Sequence, residues 1–339
     1  MADNAKATEI RVITEAEIKD MITPRPADIH KGRCGRVLLI CGSRGMAGAA
    51  VLCARAALRS GAGLVTVALP EELFPILQTA VPEAMCMERA AALTDPDRFD
   101  AIAIGPGLGE GEEQYRMIEH LLLGYHGPLV IDADGINSLC RYGMAPTRES
   151  YMDTAPLDEL KVPRKQTSIL PDIGKKRKEP VVLTPHPGEA DRLLAMLGKE
   201  NTRSFGREAS ARILAEETGA IIVLKGQDTL IAAANANAAG AAPSMTEADI
   251  VENPTGNPGM ATGGSGDVLT GVTAALLAWG KAGRRTEDLG LTPESCVRAA
   301  VYIHGLAGDL AAREKGEIGM TSMDIAEALP AAFREIAGR

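Results

Sequence analysis

The sequence predicts an α/β protein whose central, mainly parallel sheet is covered by helices on both faces. Short, continuously apolar runs alternate along the chain with longer stretches rich in alanine and leucine. Strands without polar alternation are buried on both faces, which is typical of a parallel sheet between two layers of helices. Glycine is abundant, with 36 residues, whereas aromatic residues make up only 3% of the chain. This composition indicates many tight loops and a core of small aliphatic side chains.

Seven apolar segments contain the predicted strands. They are Arg36–Cys41, Leu64–Leu69, Asp100–Gly109, Pro128–Gly135, Pro180–Glu189, Ala220–Gly226 and Thr229–Ala233. The last two are joined by Gly226-Gln227-Asp228, which predicts a hairpin. Two helices are predicted nearer the N-terminus, a short amphipathic one at Thr14–Ile22 and a longer one at Gly48–Ser60 that ends at glycines.

Composition and charge exclude several classes of protein. The net charge of −9 argues against a general nucleic-acid binder. The six cysteines are scattered singly without a C-x-x-C pair, which is typical of a reduced protein and not of a zinc site or a disulfide framework. The chain shows neither a signal-peptide pattern nor an uncharged apolar stretch of the roughly 18 residues that a membrane span needs. We therefore expect a soluble, cytoplasmic protein.

A length of 339 residues allows one large core, and no clean linker divides the chain. We expect a single domain over residues 1–339. Two stretches interrupt its α/β rhythm. Cys140–Glu179 is polar and rich in proline, which predicts a surface insertion. Ala232–Ala242 is low in complexity, which predicts a flexible loop.

Five predicted strands end in glycine loops or in chemically active side chains. These ends are Gly42-Ser43, Gly105-Pro106-Gly107, Asp132-Ala133-Asp134, His186–Glu189 and Lys225-Gly226. Ligands of open parallel sheets bind beyond the carboxyl ends of the strands. The five ends therefore predict one shared site. Within it, Asp134 is predicted to cap the helix that follows its strand.

The segment Asn253–Trp279 is the most informative part of the sequence. Val268, Val272 and Leu276 recur at helical spacing, so a helix is predicted to start near Gly264–Asp267. Glycines at a helix N-terminus allow backbone N–H groups to point at an anion, and the helix dipole adds to the attraction. The segment therefore predicts an anion site.

Asp267 has two possible roles at this helix start. As an N-cap it would stabilise the helix by typically about 1 kcal/mol. As a general base it would take a proton from a hydroxyl while neighbouring amides hold the transferred phosphoryl group. The glycine loops Asn257–Gly259 and Gly263-Gly264 directly before it favour the general base. The chain has no G-x-x-x-x-G-K-[ST] motif and no G-x-G-x-x-G fingerprint after its first strand, which argues against a P-loop enzyme and a Rossmann dehydrogenase.

The run NPTGNPGMATGGSGDVLTG at Asn253–Gly271 closely resembles the signature of the NAD(P)H-hydrate dehydratase family. Further stretches are similar to this family in the same order: Lys31–Ser43, Gly105–Gly109, Asp132–Asn137, Leu183–Leu193, Val223–Gly226 and Gly319–Pro330. The likeness covers nearly the whole chain except Cys140–Glu179. It implies a ribokinase-like fold.

The resemblance implies a repair enzyme that acts on hydrated NADH and NADPH. ADP or ATP phosphorylates the added ring hydroxyl, and phosphate is then eliminated. Asp267 would deprotonate the hydroxyl, and Mg²⁺ would bridge the nucleotide phosphates. The family divides between ADP and ATP, and the stand-alone layout that we expect, without the epimerase domain of some relatives, favours ADP. A homotetramer is the oligomer that the resemblance suggests.

The resemblance also assigns binding roles, which we carry over as expectations. Residues expected near the hydrated coenzyme are Ala49, Gly107, Gly109, Asp132, Asn137, His186, Glu189 and Asp267. Residues expected along the nucleotide are Lys225, Gly226, Thr229, Gly264, Ser265 and Gly266. No residue is assigned as a metal ligand.

Alternatives remain open at this stage. His186 would otherwise only shape a turn, and Lys225 would be a surface lysine. A kinase of the same fold, acting on a vitamin alcohol or a sugar, would use the same Asp267 and stop at the phosphorylated product. The runs TPHPGE at Thr184–Glu189 and NPGMAT at Asn257–Thr262 favour the dehydratase. A non-catalytic adenylate sensor is the third possibility, and the intact aspartate and glycines argue against it.

Overall fold

The computed structural model describes residues 10–22, 25–143, 169–171, 173–175, 177–234, 249–285 and 291–338. Within these ranges ten strands form one sheet in the order β1-β10-β9-β8-β7-β6-β5-β2-β3-β4. The strands are β1 Arg11–Val12, β2 Arg36–Ile40, β3 Leu64–Ala68, β4 Met85–Met87, β5 Ala101–Ile104, β6 Leu129–Ile131, β7 Val181–Leu183, β8 Ile221–Leu224, β9 Leu230–Ala233 and β10 Asp249–Glu252.

Twelve α-helices accompany the sheet in the described part of the chain. They are α1 Glu15–Met21, α2 Ala47–Arg59, α3 Phe74–Ala80, α4 Arg89–Thr94, α5 Glu112–Gly124, α6 Asp134–Tyr142, α7 Pro187–Met196, α8 Thr202–Phe205, α9 Arg207–Thr218, α10 Ser265–Arg285, α11 Pro293–Lys315 and α12 Ser322–Ala337. None of these helices is both long and apolar enough to span a membrane.

The sheet is mainly parallel, as the sequence predicted. Strands β2 to β8 pair only in parallel with one another, for example with Val37 of β2 beside Val65 of β3 and Ala101 of β5. Strand β9 is antiparallel to both β8 and β10, which confirms the predicted hairpin. The sequence prediction missed β1, β4 and β10. Each of these strands has only two to four residues, too few to show a period.

Side chains alternate along each strand between two apolar cores. In β2, Val37 and Leu39 face the core that contains α1, α2, α3, α10, α11 and α12, whereas Leu38 and Ile40 face the core of α4, α5, α6, α7 and α9. Gly271 allows α10 to approach α2 closely, because a Cβ atom there would collide with the carbonyl oxygen of Cys53. Helices therefore cover both faces, as predicted.

The predicted insertion at Cys140–Glu179 is corrected at both ends. Its first residues, Cys140 to Tyr142, belong to α6. Near its other end, Leu170 is fully buried in the second core, and the Arg177 guanidinium donates to the carbonyl oxygens of Leu122 at 2.9 Å and Gly127 at 2.7 Å. The middle, residues 144–168, lies outside the described residues. Ala232 and Ala233 of the predicted loop complete β9, and residues 235–242 lie outside the described residues.

The topology gathers the five predicted strand ends. The chain runs from β2 outward to β3 and β4, then returns to place β5 on the other side of β2 and continues through β6, β7 and β8. The sheet therefore has its topological switch point between β2 and β5, where open α/β sheets bind their ligands. All five predicted loops follow the contiguous parallel strands β2, β5, β6, β7 and β8, so they share one edge of the sheet.

Candidate active site

A buried ion pair forms the centre of this edge. Asp132 follows β6 and is 1% exposed. Its carboxylate accepts hydrogen bonds from the Nζ of Lys225 at 2.7 Å and from the hydroxyl of Thr270 at 2.8 Å. Lys225 directly follows β8, and Thr270 lies in the first turns of α10. One carboxylate thus joins two strand ends to the start of the helix that carries Asp267.

Glu189 adds a second buried carboxylate beside the same lysine, with its Oε2 atom 3.9 Å from the Nζ of Lys225. Burial raises the pKa of Glu189 above its usual value, although the Lys225 charge partly opposes this. For Lys225, burial lowers the pKa, but the carboxylates of Asp132 and Glu189 outweigh burial and hold it above its usual value. Lys225 therefore stays protonated near neutral pH and offsets part of the negative charge of the two carboxylates, which excludes its interpretation as a mere surface lysine.

His186 is the N-cap of α7, which begins at Pro187. Its Nδ1 atom accepts a hydrogen bond from the backbone N–H of Gly188 at 3.0 Å, and the backbone N–H of His186 donates to the Glu189 carboxylate at 2.8 Å. This reciprocal capping box fixes the turn and aims the Glu189 side chain. His186 therefore shapes a turn, while about half of its side chain remains exposed at this edge of the sheet.

Asp267 is the third residue of α10, which begins at Ser265. It is therefore not the N-cap, so the capping interpretation is wrong. Among the described residues, no group donates a hydrogen bond to its carboxylate. Burial and the charge of Asp132 together raise the pKa of Asp267 to about 7, although the charge of Lys225 opposes them. A carboxylate that titrates near neutral pH without a fixed partner can accept a proton from a ligand.

The first turn of α10 also presents backbone donors. A helix leaves its first four N–H groups without intrahelical partners. Ser265 N–H bonds to Thr262 O at 3.3 Å, whereas those of Gly266 and Asp267 have no partner among the described residues. The buried His304 holds this turn in place, since its Nε2 atom lies 3.0 Å from Ser265 O. Burial lowers the pKa of His304 to about 4, so the ring is neutral and donates this hydrogen bond.

The glycine loops after β2 and β5 form the neighbouring wall. Gly42 N–H donates to Pro106 O at 2.9 Å, which joins the two loops at the switch point. A Cβ atom on Gly107, whose φ is +58°, would lie 2.8 Å from the methyl carbon of Ala49. Only glycine fits this position. The structure therefore brings together Ala49 and Gly107, as expected.

Asp134 does not cap α6, contrary to the prediction. The N-cap of α6 is Ala133, and the Asp134 carboxylate instead accepts the N–H of Gly109 at 2.8 Å. This bond ties the loop after β5 to the loop after β6. The backbone of Ala133 is strained at this turn. Its φ is +48°, and among the described residues it is the non-glycine residue with a positive φ.

Two further groups of predicted site residues lie in the β8–β9 hairpin and between α6 and α7. Thr229 donates to Gly226 O at 3.2 Å inside the β8–β9 hairpin, and the Arg207 guanidinium braces this turn through Asp228 O at 2.8 Å. Asn137 of α6 accepts from Arg192 of α7 at 3.2 Å, so it joins two helices. No contact among the described residues links these groups directly to Asp267.

Sequence reasoning missed Thr270 and Arg207. Thr270 was detectable, because it lies three residues after Asp267 and therefore on the same helical face. Arg207 gave no signal, since its contacts depend on how α9 packs beside the hairpin. The described residues contain no group of three or more His, Cys, Asp or Glu side chains that could hold a metal ion.

Comparisons with known proteins show which family the chain resembles. The family model of NAD(P)H-hydrate dehydratase matches residues 37–151 and 160–331. The bifunctional NAD(P)H-hydrate repair enzyme Nnr of Thermofilum pendens is 35% identical over 328 residues, which is 93% of this chain and 53% of that protein. The chain spans about half the length of such bifunctional relatives.

A curated protein and a crystal structure, both from Bacillus subtilis, match over almost their full length. The ADP-dependent (S)-NAD(P)H-hydrate dehydratase is 30% identical over 325 residues, which is 95% of this chain and 97% of that protein. The crystal structure of the ADP/ATP-dependent NAD(P)H-hydrate dehydratase co-crystallized with ATP/Mg²⁺ superposes with a TM-score of 0.73 at 28% identity, covering 97% of this chain and 100% of that one. By its signature, its ribokinase-like fold and these matches, the chain belongs to the NAD(P)H-hydrate dehydratase family.

Proposed function

We propose that this protein uses ADP or ATP to dehydrate hydrated NADH and NADPH and so restores the reduced coenzymes. The observation that carries this proposal is the Asp267 carboxylate. It has no hydrogen-bond donor among the described residues, has a pKa of about 7, and shares a helix turn with two unpaired N–H groups. The matched relatives named for this reaction support the substrate class.

The chemistry follows from the poor leaving ability of hydroxide. Asp267 takes the proton of the ring hydroxyl while the hydroxyl oxygen attacks the terminal phosphorus of the nucleotide. The nucleotide leaves one phosphate shorter. The N–H groups of Gly266 and Asp267 stabilise the negative charge on the transferred group. The ring nitrogen then expels inorganic phosphate, and loss of a proton from the adjacent ring carbon restores the double bond.

The hydrated coenzyme would lie against the wall formed by the loops after β2 and β5, beside Ala49 and Gly107. The nucleotide would lie from the hairpin turn at Gly226 and Thr229 toward the start of α10. Lys225 lies between these two ends, in the ion pair with Asp132. Mg²⁺ would enter with the nucleotide, because this ion is usually held by phosphates, water and one or two carboxylates and needs no dedicated protein cage.

Gly266→Ala separates the phosphate role from the structural role of a glycine. A Cβ atom at Gly266 would meet the Nζ of Lys225 at 3.4 Å and Asp132 Oδ2 at 3.6 Å, which the fold tolerates. We expect an unchanged melting temperature and a nucleotide Kd at least about tenfold weaker, equal to about 1.4 kcal/mol. Thermal unfolding and calorimetric titration with ADP check both.

Gly264→Ala is the matched control. Gly264 has a φ of +91°, and a Cβ atom there would collide with Leu52 and Ser322. This variant is expected to lose stability. A Gly266→Ala variant that binds ADP as well as the wild type does would contradict the proposed phosphate contact.

The pH profile reports on the general base. Because Asp267 acts only when ionised and its pKa is about 7, kcat/KM is expected to rise about tenfold per pH unit below pH 7 and to level off above it. Steady-state rates between pH 5 and 9, on enzyme shown to remain folded throughout, give this profile. A flat profile down to pH 5 would remove Asp267 as the titrating base.

Product analysis distinguishes this function from that of a kinase with the same fold. The dehydratase releases one inorganic phosphate for each nucleotide consumed and leaves no phosphate ester on the hydroxyl of the substrate. Phosphorus NMR of a completed reaction measures both species. A stable phosphate ester on the substrate hydroxyl in place of inorganic phosphate would identify a kinase.

A further inference from the structure

A cavity lies away from the Asp267 site. Its volume is about 300 Å³, and α10 contributes Leu276 and Trp279 to its wall. Trp279 comes twelve residues after Asp267, which places it roughly 18 Å further along the helix at 1.5 Å per residue. The cavity also borders Ser60, at the end of α2, just before β3 begins. It therefore lies toward the amino ends of the strands, at the opposite edge from the proposed active site.

The wall of this cavity is apolar and partly aromatic. Leu276 and Trp279 of α10 and Phe333 of α12 all line it. Aromatic side chains favour stacked or edge-to-face contact with a planar group. The volume is at the lower end of the range for ligand pockets, which fits one ring with a short substituent.

The rim carries excess positive charge. Arg25 donates to Gly61 O at 2.5 Å and forms no ion pair with any described carboxylate. Arg59 pairs with Glu327 at 2.7 Å, but the same carboxylate also pairs with Arg55 at 2.6 Å. Arg55 and Arg59 thus share one carboxylate, and Arg25 has none among the described residues, which leaves an excess of positive charge at the rim for an anion.

Ser60 provides an unsatisfied polar group in the same wall. The residue is 8% exposed, and its hydroxyl has no hydrogen-bond partner among the described residues. A buried hydroxyl without a partner costs folding free energy, which a ligand oxygen would recover. This hydroxyl lies beside Gly61, whose carbonyl fixes Arg25.

We propose that this cavity binds a small organic anion in which a planar apolar ring carries a carboxylate or a phosphate. The ring lies between Trp279 and Phe333. The anionic group is bound by Arg25 and the Ser60 hydroxyl, with Arg59 nearby.

Trp279 gives a direct measurement, because it is the only tryptophan in the chain. Its fluorescence is titrated with phenyl phosphate and benzoate, and with benzyl alcohol and inorganic phosphate, which lack the charge and the ring respectively. The proposal predicts a saturable change with the two ring anions and at least about tenfold weaker binding of the other two probes. Saturating ADP is expected to leave the phenyl phosphate Kd unchanged, because the two sites are separate.

Arg25→Gln and Ser60→Ala are each expected to weaken phenyl phosphate about tenfold. Arg203→Gln, at an exposed arginine of α8, is the matched control and is expected to have no effect. Three results would each overturn the proposal: no saturation by either ring anion in folded protein, equal effects of Arg25→Gln and Arg203→Gln, or displacement of phenyl phosphate by ADP. A dimer, found by light scattering, that buries Trp279 and excludes every probe would overturn it as well.

Discussion

Replacing Asp267 with asparagine is expected to lower kcat by about 10²–10⁴-fold, because asparagine cannot accept the hydroxyl proton. The nucleotide Kd is expected to stay within about twofold of the wild-type value, since the N–H groups of Gly266 and Asp267 that would bind phosphate belong to the backbone. Single-turnover rates and calorimetric titration with ADP measure the two quantities. Glu294→Gln, another acid in the first turn of a helix, is the matched control and is expected to retain full activity.

The same substitution is expected to stabilise the fold at pH 8. The pKa of Asp267 is raised in the folded protein, so the ionised carboxylate destabilises the fold at every pH above its unfolded value. Wild-type stability therefore falls as the pH rises from about 4 to about 7, and the asparagine variant escapes this loss. Its unfolding free energy is expected to exceed that of the wild type by roughly 2–4 kcal/mol at pH 8 and to match it near pH 4. An unchanged rate together with unchanged stability would contradict both roles of Asp267.

Lys225→Met is the substitution with the largest expected loss of stability. It leaves the carboxylates of Asp132 and Glu189 buried without their cation, and both are at most 4% exposed. The unfolding free energy is expected to fall by about 3 kcal/mol. Urea denaturation at pH 7 measures it.

Lys199→Met is the matched control, because Lys199 pairs with Glu217 at the same 2.7 Å distance but at the surface. Its expected loss is below about 1 kcal/mol. Combining Lys225→Met with Asp132→Asn is expected to recover part of the loss, since the second change removes one unpaired charge. Equal losses for Lys225→Met and Lys199→Met would show that the cluster does not depend on its lysine.

Much of this site could be predicted because its residues follow regular elements. Helix α10 was predictable from the spacing of Val268, Val272 and Leu276. Its predicted start near Gly264–Asp267 includes the observed first residue, Ser265. The shared edge followed from continuously apolar strands, since such strands are parallel and align their carboxyl ends. The hairpin that follows Lys225 was visible as two short β-rich runs around a turn.

The errors arose where partners lie far apart in sequence. Asp134 has the local pattern of a cap, but the N–H of Gly109, 25 residues earlier, is its actual donor. The ion pair of Asp132 with Lys225 spans 93 residues and required the observed strand order. The cavity beside Trp279 could not be predicted at all, because it forms only where α2, α10 and α12 meet.

The most direct test of the proposed function is the recovery of NADH absorbance from hydrated NADH. The wild-type protein and the Asp267→Asn variant are incubated with hydrated NADH and Mg²⁺, and with ADP or ATP in parallel. We predict that the reduced-nicotinamide band returns with wild-type protein and at least one nucleotide, and that the variant restores it at least about a hundredfold more slowly. Folded wild-type protein that binds nucleotide but restores no absorbance with either one would contradict the proposed dehydratase activity.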